Sequence, residues 1–101
     1  MKYTDNITGI KINVQAVDIT IGDEVKDTIR KAISRLDRVY GRIEWADVYL
    51  EDKSEKKTEQ KQVSIRLGVP GKDPFASDYG DNFHALLTSV EDKLRRQLEK
   101  L

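Results

Sequence analysis

The chain predicts an α+β domain of order β-α-β-β-β-α, a four-stranded sheet with two parallel helices packed on one of its faces. Three observations predict it. Two stretches repeat apolar residues at three- and four-residue steps, as a helix with one buried stripe does. Three others alternate apolar and polar residues, as strands with one buried face do. Since each strand offers a single apolar face, both helices must cover the same side of the sheet.

Residues Met1 to Gly9 are polar and unpatterned and read as a flexible N-terminal arm, leaving residues 10–101 as one domain. Ile10, Ile12, Val14 and Ala16 alternate with Lys11, Asn13 and Gln15 in the first strand. Thr20 and Asp23 resemble a capping box at the start of a helix over Ile21 to Tyr40, where Asp23 and Glu24 suit the positive N-terminus. Val25, Ile29, Ala32, Ile33, Leu36 and Tyr40 form its buried stripe, and Gly41 is placed to cap its end.

Trp45 to Leu50 reads as the second strand, with Ala46, Val48 and Leu50 inward and Trp45, Asp47 and Tyr49 outward. The mixed-charge stretch Glu51 to Lys61 reads as a long hairpin loop. Val63, Ile65, Leu67 and Val69 mark the third strand, Pro70 to Pro74 a turn, and Phe75 to Asp78 a short edge strand. Asp81 is the expected N-cap of a last helix, whose stripe is Phe83, Leu86, Leu87, Val90, Leu94 and Leu98. A right-handed crossover makes the first two strands parallel, and counting directions through the hairpins makes the helices parallel.

A length of 101 residues allows one core and excludes two ordinary domains. Without cysteine there is neither a disulfide framework nor a thiolate metal site. No apolar run approaches the roughly 18 residues of a membrane span, and the N-terminus lacks a hydrophobic signal core, so a soluble cytoplasmic protein is expected. Catalysis finds little support. His84 is the only histidine, next to a core phenylalanine, and suits a structural place better than a catalytic one. No nucleophile–base pair, glycine-rich phosphate loop or metal-ligand cluster is visible, so neither an enzyme nor a cofactor is expected.

The net charge is zero, which excludes an indiscriminate polycation, but the charges are unevenly placed. Five bases face one acid from Arg30 to Arg42, and four face one from Lys93 to Lys100. Lys31, Arg35, Arg38 and Arg42 fall on one flank of the first helix, and Lys93, Arg96 and Lys100 on one flank of the second. Glu91, Asp92 and Glu99 point elsewhere. With parallel helices, one flank leans into the groove between them and the other faces outward, making a broad basic strip for an anionic partner. Such residues often form only a solvated face with intrahelical pairs. The scarcity of interleaved acids, on both helices alike, favours binding of RNA or DNA. Trp45, Tyr49 and Arg66 on the open sheet face are placed to stack bases, though an ordinary exposed face is the plainer reading.

The α-β-β-β-α order resembles double-stranded-RNA-binding folds. A more specific resemblance runs from Ile10 to Leu101. It is carried by INVQAVDIT, AISRLDRVYGRIEWADVYL, LGVPGKDPFASD and the terminal DKLRRQLEK. In this order and spacing they resemble the short form of the ribosome hibernation-promoting factor and ribosome-associated inhibitor family, also called sigma-54 modulation proteins. The resemblance implies a domain that lodges on the small ribosomal subunit and its ribosomal RNA, in the decoding-centre channel. There it would block messenger and transfer RNA and keep ribosomes inactive under stress or in stationary phase.

The family's basic positions carry over to Lys31, Arg35, Arg38, Arg42, Lys93, Arg96 and Lys100. With the sequence stopping at Leu101, neither the Lys-rich tail of many members nor the dimerising domain of long forms is expected, so the chain should not join two ribosomes through that domain. It is expected to be monomeric off the ribosome, with no membrane and no small-molecule substrate as partner. Two other readings remain at this point: a protein-interaction module using Glu51 to Lys61, and a general structured-RNA binder.

Overall fold

The structure, a computed structural model, describes residues 1–53 and 61–101. Its elements are β1 (Lys2–Ile7), β2 (Ile10–Val17), α1 (Asp23–Tyr40), β3 (Trp45–Asp52), β4 (Lys61–Gly68), β5 (Phe75–Gly80) and α2 (Phe83–Glu99). Among the described residues the strands form one sheet in the order β1-β2-β3-β4-β5. β2 and β3 are parallel across the α1 crossover, and the other neighbours are antiparallel. The sheet thus has five strands, not the expected four, and exceeds the α-β-β-β-α pattern on which the likeness to double-stranded-RNA-binding folds rested.

The extra strand comes from the segment expected to be a flexible arm. Residues 2–7 pair with β2 from Lys2 opposite Gln15 to Ile7 opposite Ile10. Thr8 and Gly9, at φ 49° and 86°, make the two-residue turn with two positive φ angles that suits the twist of a hairpin. Tyr3, Asp5 and Ile7 are the half-buried members of the alternation. Asp5 hides the pattern by putting a carboxylate on the covered side, where Arg30 of α1 meets it at 2.9 Å. The Lys26 ammonium lies 4.9 Å from the centre of the Tyr3 ring, a second tie between β1 and α1.

The core lies between the sheet and the two helices. Ile12, Val14, Val48, Leu50, Val63, Ile65 and Leu67 meet Ile29, Ile33, Leu36, Leu87, Val90 and Leu94 there. The helices run parallel and in step. Thr28 approaches His84 and Arg35 bonds Glu91, both pairs spanning a sequence offset of 56. Gly41, left-handed at φ 76°, closes α1 as expected.

The N-caps differ from expectation. α1 starts two residues later than predicted, on Gly22, with no side-chain cap bond, so Thr20 and Asp23 form no capping box. Asp23 instead joins Glu24 in the first turn, at the positive end of the helix. Asn82, not Asp81, caps α2, its side chain accepting the Ala85 N–H at 2.9 Å. The expected hairpin loop Glu51 to Lys61 is shortened at both ends, since β3 runs through Asp52 and β4 begins at Lys61. Its residues 54–60 lie outside the described residues.

β5 is a sheet edge, as expected, and α2 covers it. The Leu67 N–H bonds the Pro74 carbonyl at 2.9 Å, which sets Phe75, Ser77 and Tyr79 with their backbone groups outward. Gln97 accepts from the Phe75 N–H at 3.3 Å and donates to its carbonyl at 2.8 Å. Lys93 donates to the Ser77 carbonyl at 3.1 Å, and the Tyr79 N–H donates to Asp78 at 2.9 Å.

Candidate nucleic-acid interface

The seven cations of the two flanks meet three different fates. Arg35 points into the groove between the helices and grips Glu91 with two bonds, Nε at 2.7 Å and Nη2 at 2.8 Å. Glu91 is the shielded partner, its side chain only 15% exposed against 50% for Arg35. The hydrogen bond to Glu91 raises the Arg35 pKa further, so its charge is permanent. A forked pair of this kind fixes the helices side by side and spends both prongs of the fork inside the protein. Helical spacing predicts that Glu91 points away from the basic flank. It does point away from α2's own flank, but the parallel register brings it onto α1's.

Lys93 lies on the outward side of α2, toward β5. Besides the Ser77 carbonyl it meets Asp78, at 3.6 Å. Asp78 is held by three donors, and its carboxyl pKa is lowered. The Ser89 hydroxyl lowers it most, then the Tyr79 N–H; burial comes next and acts in the opposite direction, and Lys93 adds a smaller lowering. A carboxylate held down in the folded state lends stability that is complete above its ordinary value of 3.8 and is lost as pH falls through the lower folded value. The urea midpoint should therefore drop on going from neutral pH to about pH 3 and below. Asp78→Asn should shrink that drop, and an unchanged pH dependence would show that the Ser89–Asp78–Lys93 link contributes nothing.

Lys31 and Arg96 are paired along their own helices, with Asp27 at 3.0 Å and Asp92 at 2.9 Å. These pairs are exposed and weak, easily exchanged for phosphate partners. Arg38, Arg42 and Lys100 have no carboxylate within ion-pair distance among the described residues. The helix register sets Arg38 level with Leu94 and Arg42 level with Leu98, so these three gather at one end of the helical layer. It is the end where both helices present free carbonyls, and Arg38 and the C-cap residue Lys100 suit its negative potential. The basic strip is thus not uniform: it is tied down in the middle and uncommitted at the helix C-termini.

Sequence reasoning missed the Glu91 clasp and the Gln97 clamp. Helical spacing within one helix shows which residues share its face; it does not show which acid a neighbouring helix will bring opposite. His84 is exposed, 3.5 Å from the Thr28 hydroxyl. Among the described residues no three His, Cys, Asp or Glu side chains are grouped to hold a metal ion, and no helix is long and apolar enough to cross a membrane.

Comparison with known proteins finds relatives over most of the chain. The ribosome hibernation promoting factor of Azotobacter vinelandii is 29% identical over 91 residues, covering 90% of this chain and 81% of that protein. The crystal structure of the Protein Y N-terminal domain of Thermus thermophilus superposes with a TM-score of 0.73 at 22% identity, over 95% of this chain and 98% of that one. A ribosomal subunit interface protein from Coxiella burnetii gives a TM-score of 0.76 at 19% identity, over 88% and 93% of the two chains. At these identities the two structures speak for the fold alone. The family model for sigma 54 modulation protein / S30EA ribosomal protein matches residues 12–101, and the chain belongs to that family.

Proposed function

We propose that this protein is a ribosome hibernation factor. It binds the small ribosomal subunit through ribosomal RNA in the decoding-centre channel and excludes messenger and transfer RNA by occupancy, with no reaction of its own. The observation that carries the reading is the in-step pairing of two parallel helices. It places seven cations in one layer and leaves Arg38, Arg42 and Lys100 without carboxylate partners, among the described residues, at one end of it. RNA phosphates are the ligands such a layer suits, because each phosphate bound releases condensed counterions and needs no base identity. The family, and a relative named for ribosome hibernation, make the ribosome the RNA in question. The protein acts as a single copy, in the cytoplasm, where ribosomes are.

Competition tests this directly. The protein should co-sediment with isolated small subunits at low salt, leave them as salt rises, and lower the amount of messenger and initiator transfer RNA they retain. Equal binding to any RNA duplex of similar length would replace the proposal with a general structured-RNA binder. Failure to co-sediment at any salt would remove it.

A further inference from the structure

The face of the sheet away from the helices is concave and holds a trough of about 650 Å³, within the usual range for small-ligand sites. Its lining is more apolar than polar, with Asn13, Gln15, Asp47, Tyr49 and Ser64 as polar groups along the floor and Lys2 of β1 at the far side. At one side stand Arg66 and Phe75, with the guanidinium 4.7 Å from the centre of the ring. Phe75 is 44% exposed, so neither burial nor the core accounts for an aromatic ring there.

Strand register fixes how these groups sit. Asn13, Asp47, Arg66 and Phe75 form one row across four strands. Neighbouring strands are about 4.8 Å apart, so Asp47 lies two strands, or about 9.6 Å, from Phe75. The guanidinium lies over the Phe75 ring, 4.7 Å from its centre, on the strand between the two. A flat group stacked on its other face, about 3.5 Å away, would have an edge within reach of Asp47, the cross-strand neighbour of Arg66. Asp47 Oδ1 accepts from the Asn13 amide at 2.9 Å, which steadies the carboxylate. Oδ2 has no hydrogen-bond partner among the described residues. The Tyr49 hydroxyl is committed, donating to Glu51 at 2.5 Å, and its pKa is pushed up to about 12 by that bond first and by burial second.

We infer that this trough binds an unpaired guanine base, stacked on the Arg66–Phe75 pair and read at its Watson–Crick edge by the Asp47 carboxylate. Arginine planes and aromatic rings are the usual platforms for unstacked bases. A carboxylate at pH 7 only accepts hydrogen bonds, and guanine presents two adjacent donors, N1–H and the exocyclic amine. Adenine presents an acceptor at N1 and is disfavoured by the same group. The site is separate from the helical strip, on the opposite face of the sheet, and it does not depend on the function proposed above. The base arrives either in a single-stranded RNA segment or as a free nucleotide.

Trp45 is the only tryptophan of the chain and lies on the same face beside the trough, two residues before Asp47 along β3. Its indole covers Gly68, where an added Cβ would come within 2.1 Å of the ring, so its place is fixed and its fluorescence reports on the trough. The full chain is titrated with guanosine monophosphate, adenosine monophosphate, and short oligouridylates with and without one guanosine. Guanosine ligands should bind at least about tenfold tighter than their counterparts, and Asp47→Asn should erase that preference. Arg66→Gln should weaken guanosine binding about tenfold, as loss of a stacking partner does. Both positions are exposed, so the variants keep the fold.

Saturation by the mononucleotide supports a free-nucleotide site, and saturation by the guanosine oligomer alone supports an RNA segment. Replacing Arg38, Arg42 and Lys100 by glutamine weakens any oligonucleotide through its phosphates, but should leave the guanosine preference unchanged. Equal binding of all ligands, no binding, or a preference that survives Asp47→Asn overturns the inference. So does binding that disappears only with the helix variant, which would place all RNA binding on the helical layer.

Discussion

Leu94→Ala should lower the unfolding free energy by roughly 2–5 kcal/mol, and Leu36→Ala by a similar amount. Both side chains are fully buried, at 0% exposure, and belong to the single core between sheet and helices. Truncation removes the transfer free energy of three carbons and leaves a space that close-packed neighbours fill only in part. Domains of this size hold together by about 5–15 kcal/mol, so either change takes a large share. Val39, on the outer surface of α1 at 43% exposure, is the control: Val39→Ala should stay within about 0.5 kcal/mol. Urea midpoints measure all three, and a Leu94 or Leu36 variant indistinguishable from the Val39 variant would mean the buried faces are wrongly assigned.

The second large effect separates the uncommitted cations from the tied ones. Arg38, Arg42 and Lys100 together changed to glutamine should cost most of the affinity for small subunits. The slope of log affinity against log salt should become shallower by about two, at roughly 0.7 for each phosphate no longer neutralised. Stability should hardly change, because none of the three takes part in an ion pair among the described residues. Arg35→Gln should behave in the opposite way. It leaves Glu91 facing the groove without its partner, so the urea midpoint falls clearly while the salt slope changes by no more than a single phosphate's share. If the triple variant sediments with ribosomes as the parent does, and Arg35→Gln alone abolishes binding, then the working cations lie in the middle of the strip.

The helices and their buried stripes were legible because each rests on a periodicity internal to one segment, and the parallel pairing of β2 with β3 because a strand–helix–strand crossover has one favoured hand. Gly41 was legible too, since few other residues suit a left-handed cap. β1 was not: its alternation is spoiled by Asp5, and only Arg30, twenty-five residues away, makes a carboxylate acceptable there. Asp81 and Asn82 are both good caps, and which one serves depends on how the chain leaves β5, which side-chain preference does not encode. The cations of the candidate site were legible as a stripe from spacing alone. Their division into clasped, paired and uncommitted was not, because it depends on Glu91, Asp78 and Ser77, which reach the stripe from a neighbouring helix and strand.

The cover that Gln97, Lys93 and Asp78 place over β5 has a consequence for self-association. A sheet with two bare margins can add strands on either side without limit, and such growth makes fibres. Here most of one margin is already occupied by the protein's own side chains, and among the described strands β1 is the margin left bare for a strand from another molecule. If two copies met margin to margin they would do so through β1 on both, about a twofold axis, and each would then present only its sealed side. Strand-by-strand growth would end at a pair, so the same bonds that fasten the last helix also guard the protein against polymerising.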